Sequence, residues 1–282
     1  MLNLYKSNRV ENLAHALAQV LKEPMSSLTA PEWIGIPTHG LGVWLSMEIS
    51  KYLGVFANVY MPFPQTLVEQ IYESVLGDQC PDTTRFKRES LTWSIMAILP
   101  SFIDLPEFAA LKNYLAKDRN GLKLFQLAGR IASIFDQYSL FRYDMVLNWD
   151  KTSGKNWGVN PEDQWQPILW KALSDKYGPA YIAAAAKSFF NTLKSPKLDK
   201  SKLPPRVSIF CVSSLPPFYV NILAGLSNIL PVHIFVLSPS KEYWAYIRSK
   251  RDIIREYNRQ IASQIASQKT SPNTPTPPQG II

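Results

Sequence analysis

Short strand-like runs alternating with helical periodicity occur before Gly77 and again after Pro204, and the interval between them carries helical patterns with few strand signals. That arrangement most constrains the fold, because strands alternating with helices pair in parallel and place helices on the faces of the sheet. A sheet begun before Gly77 and resumed after Pro204 is a discontinuous domain. The expected class is therefore α/β, a largely parallel sheet with flanking helices, interrupted by an all-helical inserted subdomain. The expected division is 1–78 plus 204–240 for the α/β core, 79–203 for the insertion, 241–269 for a basic C-terminal helix and 270–282 for a disordered tail or linker.

Leu2-Asn3-Leu4-Tyr5 reads as the first strand, and Ser7-Asn8 as the cap of a helix with Val10, Leu13, Leu17, Val20 and Leu21 on its apolar face. Glu11, three after Asn8, completes a capping box. Trp33 to Pro37 predicts a second strand, Thr38-His39-Gly40 a turn, and Leu41 to Tyr52 a helix. Val55 to Tyr60 predicts a third strand closed by Pro62-Phe63-Pro64, with Thr66 capping the next helix. Within the interval, helices are expected over Glu89–Leu99, Glu107–Ala116, one long stretch from Leu122 to about Val146, Asp163–Tyr177 and Ala180–Leu193. Strands return at Val207–Val212 and Val232–Val236, around a helix over Tyr219–Leu230. A basic amphipathic helix is expected from Lys241 to Gln268, with Trp244, Ile247, Ile253 and Ile254 as its contacts. The proline-rich stretch Thr270 to Pro278 cannot continue it, so the sequence reads as part of something longer.

A parallel sheet feeding helices raises nucleotide hydrolysis as a possibility, and the residues speak against it. A phosphate loop needs glycines for close backbone approach and a Lys followed by Ser or Thr. The turn after the first strand, Lys6-Ser7-Asn8-Arg9, has no glycine, and Gly154-Lys155 is followed by Asn156. A metal-dependent nuclease needs clustered carboxylates with a nearby lysine, but none of the 22 Asp and Glu residues has Lys two positions later. His15, His39 and His233 show no metal-ligand spacing, and no Gly-x-Ser-x-Gly elbow occurs. Cys80 and Cys211, the two cysteines, cannot build a four-ligand site. Neither a catalytic residue, a metal nor a cofactor is expected. The opening residues hold no export signal and no stretch approaches the roughly 18 apolar residues that span a bilayer, so a cytoplasmic protein without membrane contact is expected.

A net charge of +8 favours polyanionic partners. The turn Thr38-His39-Gly40-Leu41-Gly42 opens a helix, so it is either an anion site or a plain tight turn. Ser133-Ile134-Phe135-Asp136-Gln137-Tyr138, with Phe141-Arg142, interleaves aromatic and polar groups as base-stacking and base-reading sites do. Its Ile131, Ile134, Phe135 and Tyr138 also recur at helical intervals, which reads as core. Two basic runs, Lys194-Lys197-Lys200-Lys202-Arg206 and Arg248-Lys250-Arg251-Arg255-Arg259, are either solvated faces or DNA contacts.

Several ordered blocks carry a resemblance: Leu4 to Arg9, Gly40 to Leu45, Asn58 to Pro64, Leu124 to Leu127, Phe135 to Tyr138, Trp165 to Leu173, Ser214 to Pro217 and Tyr243-Trp244. Together they resemble the RecC family, the gamma chains of bacterial exodeoxyribonuclease V, over nearly the whole chain. The resemblance implies a superfamily 1 helicase-like, P-loop-like fold that lacks the P-loop. It implies a non-catalytic subunit that holds RecB-like and RecD-like partners, binds DNA as single strand and fork, and passes the 3′-ended strand through a tunnel where Chi is sensed. By the same resemblance, tunnel-lining positions fall on Pro37, His39, Val43, Phe63, Ser133, Ile134, Asp136 and Arg142, beside the turn residue Thr38. Asp136 and Arg142 keep the family type. Pro37, His39, Val43 and Ser133 replace more polar or acidic groups, and Glu69 stands where an aromatic is expected. The alternative is a scaffold for the partner subunits that binds no DNA by itself.

Overall fold

The computed structural model describes residues 1–23, 30–152, 157–196 and 198–240. Five strands, β1 (Leu2–Ser7), β2 (Glu32–Gly35), β3 (Val59–Tyr60), β4 (Val207–Phe210) and β5 (Val232–Leu237), form one sheet in the order β1-β5-β4-β2-β3. Every neighbouring pair is parallel. Between β1 and β3 run α1 (Val10–Leu21) and α2 (His39–Leu53), and α3 (Pro64–Leu76) follows β3. The stretch before β4 is helical: α4 (Arg88–Ile98), α5 (Ala109–Leu115), α6 (Leu122–Phe141), α7 (Tyr143–Lys151), α8 (Trp165–Tyr177) and α9 (Ala186–Leu193). A final helix, α10 (Pro217–Leu226), joins β4 to β5. All belong to one compact unit, Met1–Ser238. Among the described residues no helix is long and apolar enough to cross a membrane.

All four residues of β4, Val207-Ser208-Ile209-Phe210, are buried, as expected of a parallel strand covered on both faces. Phe210 joins Ile34 and Phe235 in a cluster with Leu13 and Leu17 of α1 and Leu45 and Ile49 of α2. Val207 and Ile209 point the other way, into a larger cluster shared with Leu67 of α3, Ile222 of α10 and the helices before β4. At Gly35 a Cβ would lie 2.9 Å from both Ile209 Cδ1 and Leu67 Cδ2, so the approach of α3 to the sheet requires glycine there. The helices pack around aromatic rings: the Trp170 centroid is 5.3 Å from Phe135, 5.1 Å from Tyr181 and 5.5 Å from Phe86.

Arg206 departs from the expectation of a solvated basic run. It is only 6% exposed, and its Nε donates to both carboxylate oxygens of Glu32 at 3.0 Å. Its Nη1 donates to the carbonyls of Val20 and Glu23 at 2.7 and 3.1 Å, which satisfies orphan acceptors at the end of α1. Lys194, Lys200 and Lys202 are exposed. Lys197, the expected helix from Lys241 to Gln268, its basic run and the proline-rich tail lie outside the described residues.

Several element boundaries differ from expectation, each for a local reason. No side chain caps α1: its N-cap is the extended Arg9, so Asn8 falls outside the helix and the capping box with Glu11 does not form. The third strand shrinks to Val59–Tyr60 because Asn58, at φ 57°, leaves the extended region. α3 starts at Pro64, a residue whose fixed φ suits the first helical position, which places Thr66 inside the helix instead of at its cap. The long helix expected from Leu122 breaks at Arg142, with φ −134° and ψ 40°. The break turns Val146 and Trp149 back into the core. Tyr181 to Ala185 turn tightly, the Ala184, Ala185 and Ala186 amides each reaching back three residues, so α9 covers only Ala186–Leu193. β4 ends at Phe210 because Cys211 has a positive φ of 52°.

Candidate nucleic-acid interface

The turn after β1 is closed by its own side chain. Ser7 Oγ accepts the Arg9 N–H at 3.1 Å, so an amide that a phosphate cradle would leave free is already engaged.

The turn after β2 is built for a helix start. Thr38 is extended and its Oγ1 accepts the Leu41 N–H at 3.3 Å, while the Gly42 N–H reaches the Thr38 carbonyl at 3.2 Å. Capping by Thr38 thus fills part of the anion-binding capacity that the turn suggested. It also raises His39 into solvent, in the first turn of α2.

β2 and β3 are neighbours, and the Ile36 N–H donates to the Pro62 carbonyl at 3.0 Å, holding the two following loops together. That brings the His39 ring to within 4.7 Å of the Phe63 ring, centroid to centroid. Val43, one helical turn beyond His39, is 65% exposed, and Pro37 is half-buried. The structure therefore gathers Pro37, Thr38, His39, Val43 and Phe63 at the carboxyl ends of two adjacent strands, where ligands of open α/β sheets bind.

The α6 candidates divide. Phe135 and Ile131 are core, as their spacing predicts, whereas Ile134 is exposed. Ser133 opens on a hollow of about 1050 Å³ that is also lined by Arg88, Trp93, Phe125 and Arg130. Asp136 opens on a different, small cavity of about 50 Å³ beside Gln65 and Glu69 of α3 and Tyr219 of α10. Arg142 is exposed at the junction of α6 and α7. Phe63 caps α3 and Gln65 lies within its first turn, so α3 links the loop residues to the Asp136 cavity.

Burial, then the charge of Glu89, raises the Asp136 carboxyl above the ordinary carboxylate range, with Arg88 opposing. Glu69 accepts from Gln65 at 3.1 Å and from Lys87 at 3.2 Å, so it is neutralised within its own surroundings. The Tyr219 hydroxyl is buried with no hydrogen-bond partner among the described residues, and burial raises its pKa. Among the described residues no group of His, Cys, Asp and Glu could hold a metal ion.

Sequence reasoning missed Tyr219 and the aromatic residues around Ser133. The signal for Trp93 was its place in the helical period, two positions from the buried Leu91 and Ile95.

The family described as "RecC, N-terminal domain" matches residues 2–273. The RecBCD enzyme subunit RecC of Escherichia coli is 31% identical over 266 residues, 92% of this chain and 24% of that protein. The same subunit of Haemophilus influenzae is 29% identical over 94% of this chain and 26% of its own length. That of Mycolicibacterium smegmatis is 26% identical over 89% of the chain and 22% of its own length. The chain spans about a quarter of the length of these relatives. A match that runs from the first strand past the last described residue, over an all-parallel α/β sheet, leaves one assignment: this chain belongs to the RecC family, in its N-terminal domain.

Proposed function

We propose that this chain is the N-terminal part of a RecC-type subunit that binds DNA and contributes no catalytic residue. Its parent complex is an exodeoxyribonuclease V acting in double-strand break repair by homologous recombination in the cytoplasm, with RecB-like and RecD-like subunits as partners. The observation that carries this reading is the pairing of His39 with Phe63 at the ends of β2 and β3, together with a first turn, at the other edge of the sheet, already closed by Ser7. Exposed rings at the carboxyl edge of a parallel sheet suit base stacking, and a filled first turn suits a helicase-like fold without nucleotide chemistry. The fold divides, on this reading, into a helicase-like core of 1–78 plus 204–240 and an inserted helical subdomain of 79–203. Pro37, Thr38, His39, Val43, Phe63, Ser133, Ile134, Asp136 and Arg142 contact the 3′-ended strand, with Chi read in the assembled complex.

Fluorescence titration of the 282-residue chain with a labelled single-stranded oligonucleotide tests this, at low and at moderate salt. Salt-sensitive binding without ATP hydrolysis is expected. DNA-stimulated ATP hydrolysis would overturn the non-catalytic assignment. A second reading, a scaffold that binds no DNA alone, draws support from Val43 and Met47, exposed apolar neighbours one turn apart on α2. Failure to bind the oligonucleotide alongside retained capture of a RecB-like subunit favours it.

A further inference from the structure

α4 buries Leu91 and Ile95, and the helical period turns Trp93 outward, where it is 62% exposed. Its ring centroid lies 5.4 Å from that of Phe125 on α6, itself 42% exposed. Tyr114 of α5 borders the same hollow of about 1050 Å³, with the Lys123 ammonium 5.5 Å from its ring centroid. Three exposed aromatic side chains around one concavity are uneconomical as core, since each leaves apolar surface in water.

The charges there are mainly positive. Arg88 and Arg130 line the hollow against a single carboxylate, Glu89, and neither guanidinium is held in an ion pair among the described residues. An apolar peptide laid here would bury two guanidiniums against the single Glu89 carboxylate, which is costly. A single-stranded nucleic acid supplies what both sets of groups need: π-faces for the rings and phosphates for the cations.

We propose that the hollow between α4, α5 and α6 is a stacking groove for single-stranded nucleic acid, a site additional to the residues at the ends of β2 and β3. Trp93 and Phe125 carry bases, while Arg88 and Arg130 carry phosphates. Ser133 lines the same hollow, so α6 offers the groove at one position and the Asp136 cavity one turn on. The proposal rests on the DNA-binding reading and extends it to a face of the helical region.

Anisotropy of a 5′-labelled oligothymidine titrated with the full chain tests it. Trp93→Ala is expected to weaken binding by roughly 5- to 150-fold, the loss of one stacked base, with Trp93→Phe retaining most of the affinity. Arg130→Gln is expected to lower the slope of log affinity against log salt by about 0.7, one phosphate contact on a single strand. Both positions are exposed, so the thermal midpoint should not move, and unchanged unfolding separates lost contact from lost fold. If both variants bind as the unaltered chain does while Arg142→Ala still lowers the slope, the groove is overturned and the wider reading survives. If the unaltered chain binds no oligonucleotide, both fall. Retained oligonucleotide binding by Trp93→Ala with loss of a purified RecB-like subunit assigns the groove to protein and likewise overturns the proposal.

Discussion

Arg206 and Glu32 are joined inside the protein by a forked contact, both carboxylate oxygens lying 3.0 Å from one guanidinium nitrogen. Through the same side chain the segment entering β4 is tied to the first residue of β2 and to the last turn of α1. Removing one member of a buried pair leaves the other charge uncompensated, at a cost of about 3–5 kcal/mol. Arg206→Met is expected to destabilise by that amount in a denaturant titration. Arg206→Lys should recover only part of it, because an ammonium cannot match the fork or reach the α1 carbonyls at once. The double variant with Glu32→Gln should lose less than the sum of the two singles.

Asp136 should give a pH signature. Its raised carboxyl means the folded chain holds that proton more tightly than the unfolded chain, so ionisation removes stability as pH rises through the window between the two values. Asp136→Asn is expected to raise the thermal midpoint at neutral pH. Its advantage should fade as pH falls towards the ordinary aspartate value of about 3.9. Thermal unfolding of both proteins across that range checks the sign.

Gly35→Ala is expected to cost about 1–3 kcal/mol, the usual penalty for an extra methyl forced into a packed site. The clash is with Ile209 and Leu67, both buried and unable to swing aside. Trimming the neighbour with Leu67→Ala should reduce the penalty of the glycine substitution, and equilibrium unfolding of the four proteins in that cycle measures the coupling.

Arg142→Ala should leave stability within about 0.5 kcal/mol, because the side chain is exposed. If Arg142 touches one phosphate, the salt slope for a single-stranded oligonucleotide should fall by about 0.7. Phe63→Ala should instead weaken binding at every salt concentration by a similar factor, since stacking releases no counterions. Titrations at several salt concentrations separate the two behaviours.

The architecture was legible because periodicity reports burial. Val207 to Phe210 is a continuous apolar strand with one serine, and Leu13, Leu17 and Val20 mark the inner face of α1. What the sequence concealed depended on backbone detail or on distant partners. No glycine or proline announces the break at Arg142, which follows from Trp149 having to reach Trp170. Arg206 looked like one more surface cation, since nothing near it in sequence reveals Glu32 as its partner. The candidate site was legible in part: His39 and Phe63 do meet. Ser133 and Asp136, three apart on one helix, open on separate hollows, a division that depends on which helices flank α6. Trp93 went unnoticed because an aromatic within a helical pattern ordinarily reads as packing.

β1 lies at the edge of the sheet, and its neighbour is β5, so that Asn3 faces His233 across 230 residues of sequence. A pairing this remote is slow to close, since the loop entropy must be met before the contact contributes anything. During synthesis the first strand therefore emerges long before its partner exists, with Leu2 and Leu4 presenting apolar side chains beside unpaired backbone groups. A ribosome stalled, or a chain truncated, ahead of Val232 would leave that edge permanently open, and such products should accumulate as aggregates instead of as shorter folded proteins.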